Sequence, residues 1–237
     1  IKFNVPFAVH ASDIWGVKPD FGSDYWQFLD WAYYFSKKNL LMVGAKDWIF
    51  ESESVEGKAD TTERRNFIRK WGEPPMLTKE GLPEYMGKVD IDLVMIIKNN
   101  GDVMYEKLLK YEPLFKRIVL VDDESTDNTK LEIERYMKFI KEKDNFVPDV
   151  KFIVHPLEDN FGRQRNVGVS HCKSDWVFHL DDDEELDESL FQSLMKTALS
   201  CNQQVKSVGV FPRKNYLNGV LANDVHRKNW TVGHMKR

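Results

Sequence analysis

The residues in this chain best suited to chemistry form two acidic stretches, Asp122-Asp123-Glu124-Ser125-Thr126-Asp127 and Asp181-Asp182-Asp183-Glu184-Glu185. Each follows a short apolar run, Ile118 to Val121 and Trp176 to Leu180, of the kind that forms a buried strand. Both clusters therefore fall at strand carboxyl ends, where open α/β sheets bind their ligands. Carboxylates crowded into one crevice repel each other and need a compensating charge. Hard oxygen ligands suit Mg²⁺ or Mn²⁺, and such ions are commonly held by one or two carboxylates together with the phosphates of a substrate.

Plainer roles compete for the same residues. Asp122 to Thr129 also fits a polar turn entering a helix, with Ser125 or Asp127 as N-cap, and Asp181 to Glu185 fits an acidic helix start favoured by the macrodipole. A calcium-binding EF-hand loop does not fit, because Leu186 stands where the turn glycine is needed and Gln192 where the bidentate glutamate belongs. A phosphatase-type aspartyl nucleophile fits poorly, since Asp122-x-Glu124 lacks a second aspartate at that spacing. The two clusters together carry more than either alone.

The elements that must position them read as alternating strands and helices. Asp92 to Ile97 predicts a strand entering the loop Lys98-Asn99-Asn100-Gly101-Asp102, and Met104, Leu108 and Leu109 a helix ending near Pro113. Arg117 to Val121 predicts the second strand, and Ile133, Tyr136, Met137 and Ile140 one face of the next helix. Phe152 to Val154 and Asp175 to Leu180 supply two more strands. Leu190, Phe191, Leu194, Met195, Ala198 and Leu199 mark a further helix, and Ser207 to Phe211 a last strand. This alternation implies right-handed βαβ units and a mainly parallel sheet. From Pro212 to Arg237 no clear period emerges.

The amino-terminal part reads differently. Ile1 to Val9 is strand-like, and Tyr25, Phe28, Leu29, Ala32 and Phe35 give a helix from about Asp24 to Lys38 one apolar face. Leu40 to Val43 and Trp48 to Phe50 are strand-like. A basic helix, Glu63 to Trp71, stops at Gly72 and Pro74-Pro75. The expected organisation is residues 1–75 as one segment, 76–88 as a linker and 89–237 as an α/β domain.

Composition narrows the function classes. With 237 residues, 42% hydrophobic and 30% charged, the chain can bury a substantial core. A net charge of -4 without a dominant basic patch argues against a nucleic-acid partner. Two cysteines, Cys172 and Cys201, have no zinc spacing and suit a reducing, cytoplasmic compartment. No apolar run reaches the ~18 residues of a membrane span, so any membrane association is expected to be peripheral.

The order of these motifs resembles the family 2 glycosyltransferases of the GT-A fold. Met95-Ile96-Ile97-Lys98-Asn99-Asn100 is similar to the family's first strand ending near Lys-Asn. Val121 to Thr129 is similar to V-D-D-x-S-x-D-x-T, Gly162-Arg163-Gln164-Arg165-Asn166 to part of G-x-x-x-A-R-N-x-G, and Asp181-Asp182-Asp183 to the metal-binding D-x-D. Glu124 departs from a usual glycine and Gln164 from a usual alanine. The resemblance implies a Rossmann-like sheet flanked by helices and transfer of a sugar from a nucleoside-diphosphate donor to a glycan, lipid-linked or protein acceptor. It implies Mn²⁺ or Mg²⁺ at Asp181 and Asp183, acting as a Lewis acid on the leaving diphosphate, with Asp182 in the donor site and Glu184 orienting the loop or capping a helix. Lys98, Asn99, Asp122, Asp123 and Ser125 would contact base or ribose, while Arg163 and Arg165 would stack on the base or contact phosphate.

An inverting transfer needs a general base, and Asp224 and His226 lie in the right part of the chain. Phe21 to Ala32 is similar to the E-D-x-D/E helix that follows the metal site in such transferases, and Phe67-Ile68-Arg69-Lys70-Trp71-Gly72 to their closing F-x-K-K-W-G. On that resemblance residues 1–75 are the second half of an upstream GT-A domain, with Asp24 as its base, in a fragment of a tandem enzyme. An added subdomain is the alternative. Two other functions compete: a nucleotidyltransferase on a similar sheet, and a non-catalytic transferase-like domain that binds carbohydrate or scaffolds a partner.

Overall fold

The computed structural model describes residues 20–22, 24–39, 61–72, 74 and 85–201, together with strands at 208–212, 216–217, 220–221 and 230–236. The expected strands at Ile1 to Val9, Leu40 to Val43 and Trp48 to Phe50 lie outside these residues. The chain divides into two compact units, residues 1–87 and 88–237.

In the first unit, helices α1 (Asp24–Lys37) and α2 (Thr61–Trp71) pair through aromatic residues. Trp26, Leu29 and Tyr33, one helical stripe, bury against Phe67 and Trp71. The Tyr33 ring lies 5.1 Å from Phe67 and 5.5 Å from Trp71. The buried carboxylate of Asp30 accepts the Trp71 indole N–H at 2.8 Å and pairs with Lys70 at 2.7 Å. The expected apolar face holds at Leu29, Ala32 and Phe35, but its centre is rotated toward Trp26 and Tyr33. Gly72 adopts φ 81°, the left-handed turn that ends α2.

The second unit is built on a sheet in the order β3-β2-β1-β4-β8-β5. Its strands are β1 (Ile91–Ile97), β2 (Arg117–Asp122), β3 (Val150–Val154), β4 (Trp176–His179), β5 (Val208–Pro212) and β8 (Trp230–Lys236), while β6 (Tyr216–Leu217) and β7 (Val220–Leu221) form a separate hairpin. The first four run parallel. β1 and β2 are buried along nearly their whole length, so helices must cover both faces. The expected Rossmann-like, mainly parallel sheet flanked by helices is thus present.

Helices α3 (Gly101–Tyr111), α4 (Thr129–Asp144), α5 (Phe161–Ser170) and α6 (Glu188–Ser200) connect the strands. Val94, Val119, Val121 and Val177 make one core with Cys172. Gly168 lets α5 approach it: a Cβ there would lie 2.4 Å from Val94 Cγ1. Elsewhere in the core, Phe115 stacks on Phe178 and meets Phe191 of α6 edge-on. Asp92, buried in β1 amid apolar neighbours, accepts the Lys173 and Ser174 N–H groups at 2.5 and 2.9 Å and the Ser174 hydroxyl at 2.6 Å, fixing the turn into β4.

Three expectations need correction. The acidic residues 181–185 do not start a helix, because α6 begins only at Glu188. The N-cap of α4 is Asn128 rather than Ser125 or Asp127, and Asp127 instead braces the turn from one position earlier. The stretch after Pro212 is not without regular structure: β8 inserts antiparallel between β4 and β5.

Candidate functional site

In parallel strands all carboxyl ends point the same way, and β1 lies between β2 and β4. Ile97 of β1 is level with Asp122, and Val94 with His179, so the two acidic stretches flank the Lys98-Asn99 loop on either side. At a strand spacing of about 4.8 Å, β2 and β4 lie about 10 Å apart across the sheet. From β1 the chain winds outward through β2 and β3 on one side and then crosses to β4 on the other, which makes β1 the switch point at which such sheets open a crevice.

The loop after β1 and the loop after β2 are locked together. Lys98 Nζ pairs with Asp123 at 2.6 Å, and the other oxygen of Asp123 accepts the Leu157 N–H at 2.8 Å. The Lys98 bond, helped by Leu157, holds the Asp123 carboxyl below its usual range, and the same bond raises Lys98. Asp122 accepts the Ser125 N–H at 2.9 Å and also the Ser125 hydroxyl. Asn99, at φ 52°, donates its N–H to Ser125 Oγ at 2.8 Å and accepts the Thr126 N–H on its side-chain oxygen at 2.8 Å. Asp127 takes the N–H groups of Gly101 and Thr129 at 2.9 and 3.0 Å, and its hydroxyl partner Thr129 leads the causes that lower its pKa. A Cβ at Gly101 would lie 1.8 Å from Asn128 Oδ1 and 3.1 Å from the Asn128 backbone, so a larger residue would have to displace the Asn128 amide.

Both departures from the motif pattern have physical explanations. Glu124 adopts φ 50°, the left-handed region that glycine enters without strain. Gln164 is fully buried and closes α5 onto the end of β3: its amide donates to the His155 carbonyl at 2.5 Å and meets His155 Nδ1 at 2.7 Å.

The loop after β4 carries the second acidic stretch. Arg165 Nη2 donates to both oxygens of Asp181, at 2.8 and 3.1 Å, and its guanidinium lies 5.9 Å from the Phe161 ring. Glu184 turns back to accept the Asp181 N–H at 3.0 Å. Asp182 and the exposed Asp183 have no polar partner among the described residues. Arg163 points to Glu158, whose carboxylate it binds. His179 has a buried Nδ1 without a hydrogen bond, and burial first, then the Arg165 charge, lowers its pKa to about 4, so the imidazole is neutral.

Glu185 anchors this loop to α3 through residues that the motifs did not flag. Its carboxylate accepts from Lys110 at 2.5 Å, from the Tyr111 hydroxyl at 2.9 Å and from Lys107 at 3.3 Å. Lys107 also reaches the Glu184 carbonyl at 2.9 Å, and Tyr111 accepts the Leu186 N–H at 3.0 Å. One signal was available: Met104, Lys107, Leu108 and Tyr111 form a single buried stripe, and a lysine within such a stripe needs an acidic or carbonyl partner. Asp224 and His226 lie outside the described residues, and of Asp24 only the backbone is described, at the start of α1. A concavity lined by Lys88, Asp90, Lys116, Asp149 and Lys173 sits at the opposite, amino end of the strands and shares no residue with these loops.

Residues 94–219, more than half of the chain and spanning all of these loops, match the family model described as Glycosyl transferase family 2. The chain belongs to this family. Its Rossmann-like sheet is the GT-A arrangement expected of a family 2 glycosyltransferase. Among solved structures it is similar to a mannosyltransferase from Pyrobaculum calidifontis in complex with GDP-Man and Mn²⁺, at 15% identity and TM-score 0.40 over 56% of this chain and 39% of that one. A glucosyl-3-phosphoglycerate synthase from Mycobacterium tuberculosis, in complex with Mn²⁺, UDP and glucosyl-3-phosphoglycerate, matches at 16% identity and TM-score 0.35 over 47% and 39%. S. aureus TarS 1-349 matches at 19% identity and TM-score 0.34 over 44% and 31%. The chain therefore spans about two fifths or less of the length of these structures. No curated protein matches the sequence.

Proposed function

We propose that this chain moves a sugar from a nucleoside-diphosphate donor to an acceptor hydroxyl, with inversion and with a divalent cation. The observation that carries the proposal is the placement of two acidic loops at the carboxyl edge, on either side of β1. The two strands that carry them lie about 10 Å apart across the sheet, which suits one ligand with a nucleoside at one end and a diphosphate at the other.

On this reading Asp122 and Asp123, held rigid by Ser125, Lys98 and Leu157, accept hydrogen bonds from base or ribose. Asn99 and Ser125 fix the wall of that pocket. Arg163 and Arg165, on the first turns of α5, face the phosphates, and Asp182 joins the donor site.

The donor set near β4 fits Mn²⁺ or Mg²⁺. Among the described residues no cluster of three His, Cys, Asp or Glu side chains could hold an ion by itself. Asp181 and Asp183 offer two hard carboxylates, which is what such cations use when substrate phosphates complete the shell. Bound there, the cation would act as a Lewis acid on the departing diphosphate. Glu184 holds the Asp181 backbone, and Glu185 ties the loop to α3. The general base of this domain is proposed to be Asp224, and Asp24 that of an upstream domain which residues 1–75 would finish.

The test is incubation with a panel of nucleotide sugars and Mn²⁺, followed by calorimetry and detection of released nucleoside diphosphate. Metal-dependent nucleotide affinity is expected. Nucleotide binding indifferent to Mn²⁺, or none for any donor, would sink the proposal. No helix among the described residues is long and apolar enough to cross a membrane, and the acceptor is expected to reach the site from solution or a membrane surface.

A further inference from the structure

We propose that Arg165 is an internal counter-ion which makes cation binding at Asp181 conditional on a diphosphate. The inference rests on the assignment of Asp181 and Asp183 as cation ligands and adds a thermodynamic coupling between the two parts of the ligand.

Arg165 shares one amino group between both Asp181 oxygens, at 2.8 and 3.1 Å. The two side chains are 36% and 38% exposed, so water screens the pair only in part. Both partners are placed from behind: Phe161 lies beside the guanidinium, and Glu184 holds the Asp181 N–H. Asp183, two residues on, has no such cation among the described residues. The β4 loop therefore presents one neutralised and one free carboxylate.

A carboxylate has lone pairs left after accepting such a bond, so Arg165 does not block Asp181 sterically. Charge is what opposes a dication. With two positive charges on the ion and one on the guanidinium about 5 Å apart, repulsion lowers affinity by about tenfold or more even at the dielectric of water. A diphosphate relieves that repulsion and gives the guanidinium a partner matched to its planar fork. By linkage, the cation must then strengthen diphosphate binding by the same factor as the diphosphate strengthens cation binding.

The test measures Mn²⁺ binding to the full chain by electron paramagnetic resonance, alone and with inorganic pyrophosphate, corrected for their complex in solution. Mn²⁺ alone should bind Arg165→Gln and Arg165→Met about tenfold more tightly than wild type, and the strengthening by pyrophosphate should shrink by the same factor. Arg165→Lys, which keeps the charge, should retain the weak binding of wild type. A merely structural arginine predicts the opposite sign, weaker Mn²⁺ binding in all three. Neutral variants that bind Mn²⁺ no more tightly than wild type, or a lysine variant that matches them, would overturn the proposal. Asp183→Asn run in parallel separates the two claims: if it leaves Mn²⁺ binding unchanged, the cation assignment itself fails, and the coupling with it.

Discussion

Tyr111 holds the acidic loop through a single oxygen, which makes Tyr111→Phe an incisive perturbation. The hydroxyl donates to Glu185 and accepts the buried Leu186 N–H at 3.0 Å. The ring is fully buried, so phenylalanine keeps the packing and loses only these two bonds. Lys107 and Lys110 still reach Glu185, so the loop is loosened rather than released. The principal cost is the Leu186 N–H left buried without an acceptor, about 1–3 kcal/mol. That corresponds to about 5- to 150-fold faster local opening. Amide hydrogen exchange across residues 181–187 reads this directly. Nucleoside-diphosphate affinity with Mn²⁺ should fall in the same variant, while affinity in EDTA stays near wild type. Unchanged protection at Leu186 would refute the clamp, and a general loss of protection throughout the sheet would show that the residue serves the core instead.

Other outcomes follow from the same contacts. Gly168→Ala puts a Cβ 2.4 Å from a stiff valine and should cost about 1–3 kcal/mol in urea unfolding; Val94→Ala in the same chain should recover much of it, and additive effects in the double mutant would contradict the steric account. Asp92→Ala leaves two backbone donors and a hydroxyl without their acceptor, for a loss of about 3 kcal/mol or more; a change under about 0.5 kcal/mol, the size of an ordinary surface substitution, would show the turn is held otherwise. Burial tends to raise the Glu185 pKa, but the bonds from Lys110 and Tyr111 and the Lys107 charge outweigh it and the net shift is downward. Its contribution is therefore complete above the ordinary carboxylate value near about 4.3 and lost as pH falls through the lower folded value. The protection factor of Leu186 should drop in that acid window, and Glu185→Gln should abolish the pH dependence.

Legibility in the sequence tracked the range of the interactions involved. The four parallel strands and α3, α4 and α6 follow from apolar runs and stripes that each segment carries itself, and their bounds fall within a few residues of expectation; α5, which buries Gln164 and Gly168, carries no such stripe. β8 does not. Trp230-Thr231-Val232-Gly233-His234-Met235-Lys236 mixes polar and apolar residues around a glycine, and its pairing with β4 is set by a strand more than fifty residues earlier. The acidic stretches were legible, but their compensation was not. The sequence suggested that a cation must offset the crowded carboxylates, whereas Lys98, Arg165, Lys107 and Lys110 already neutralise three of them from distant segments. Asp182 and Asp183 have neither a cation nor a hydrogen-bond donor beside their carboxylates among the described residues. Glu124 and Gln164 show the reverse case, departures visible in sequence whose cost only the backbone angle of one and the His155 partner of the other explain.

The central claim is that one ligand spans the β2 and β4 loops, and calorimetry of nucleoside diphosphates against Asp123→Asn and Asp183→Asn tests it most directly. Asp183→Asn should abolish the gain in affinity from Mn²⁺ while leaving affinity in EDTA unchanged. Asp123→Asn should weaken nucleoside diphosphates equally with and without Mn²⁺ and leave pyrophosphate untouched. If both variants bind like wild type, or if Asp123→Asn changes pyrophosphate and nucleotide alike, the two loops do not share one ligand.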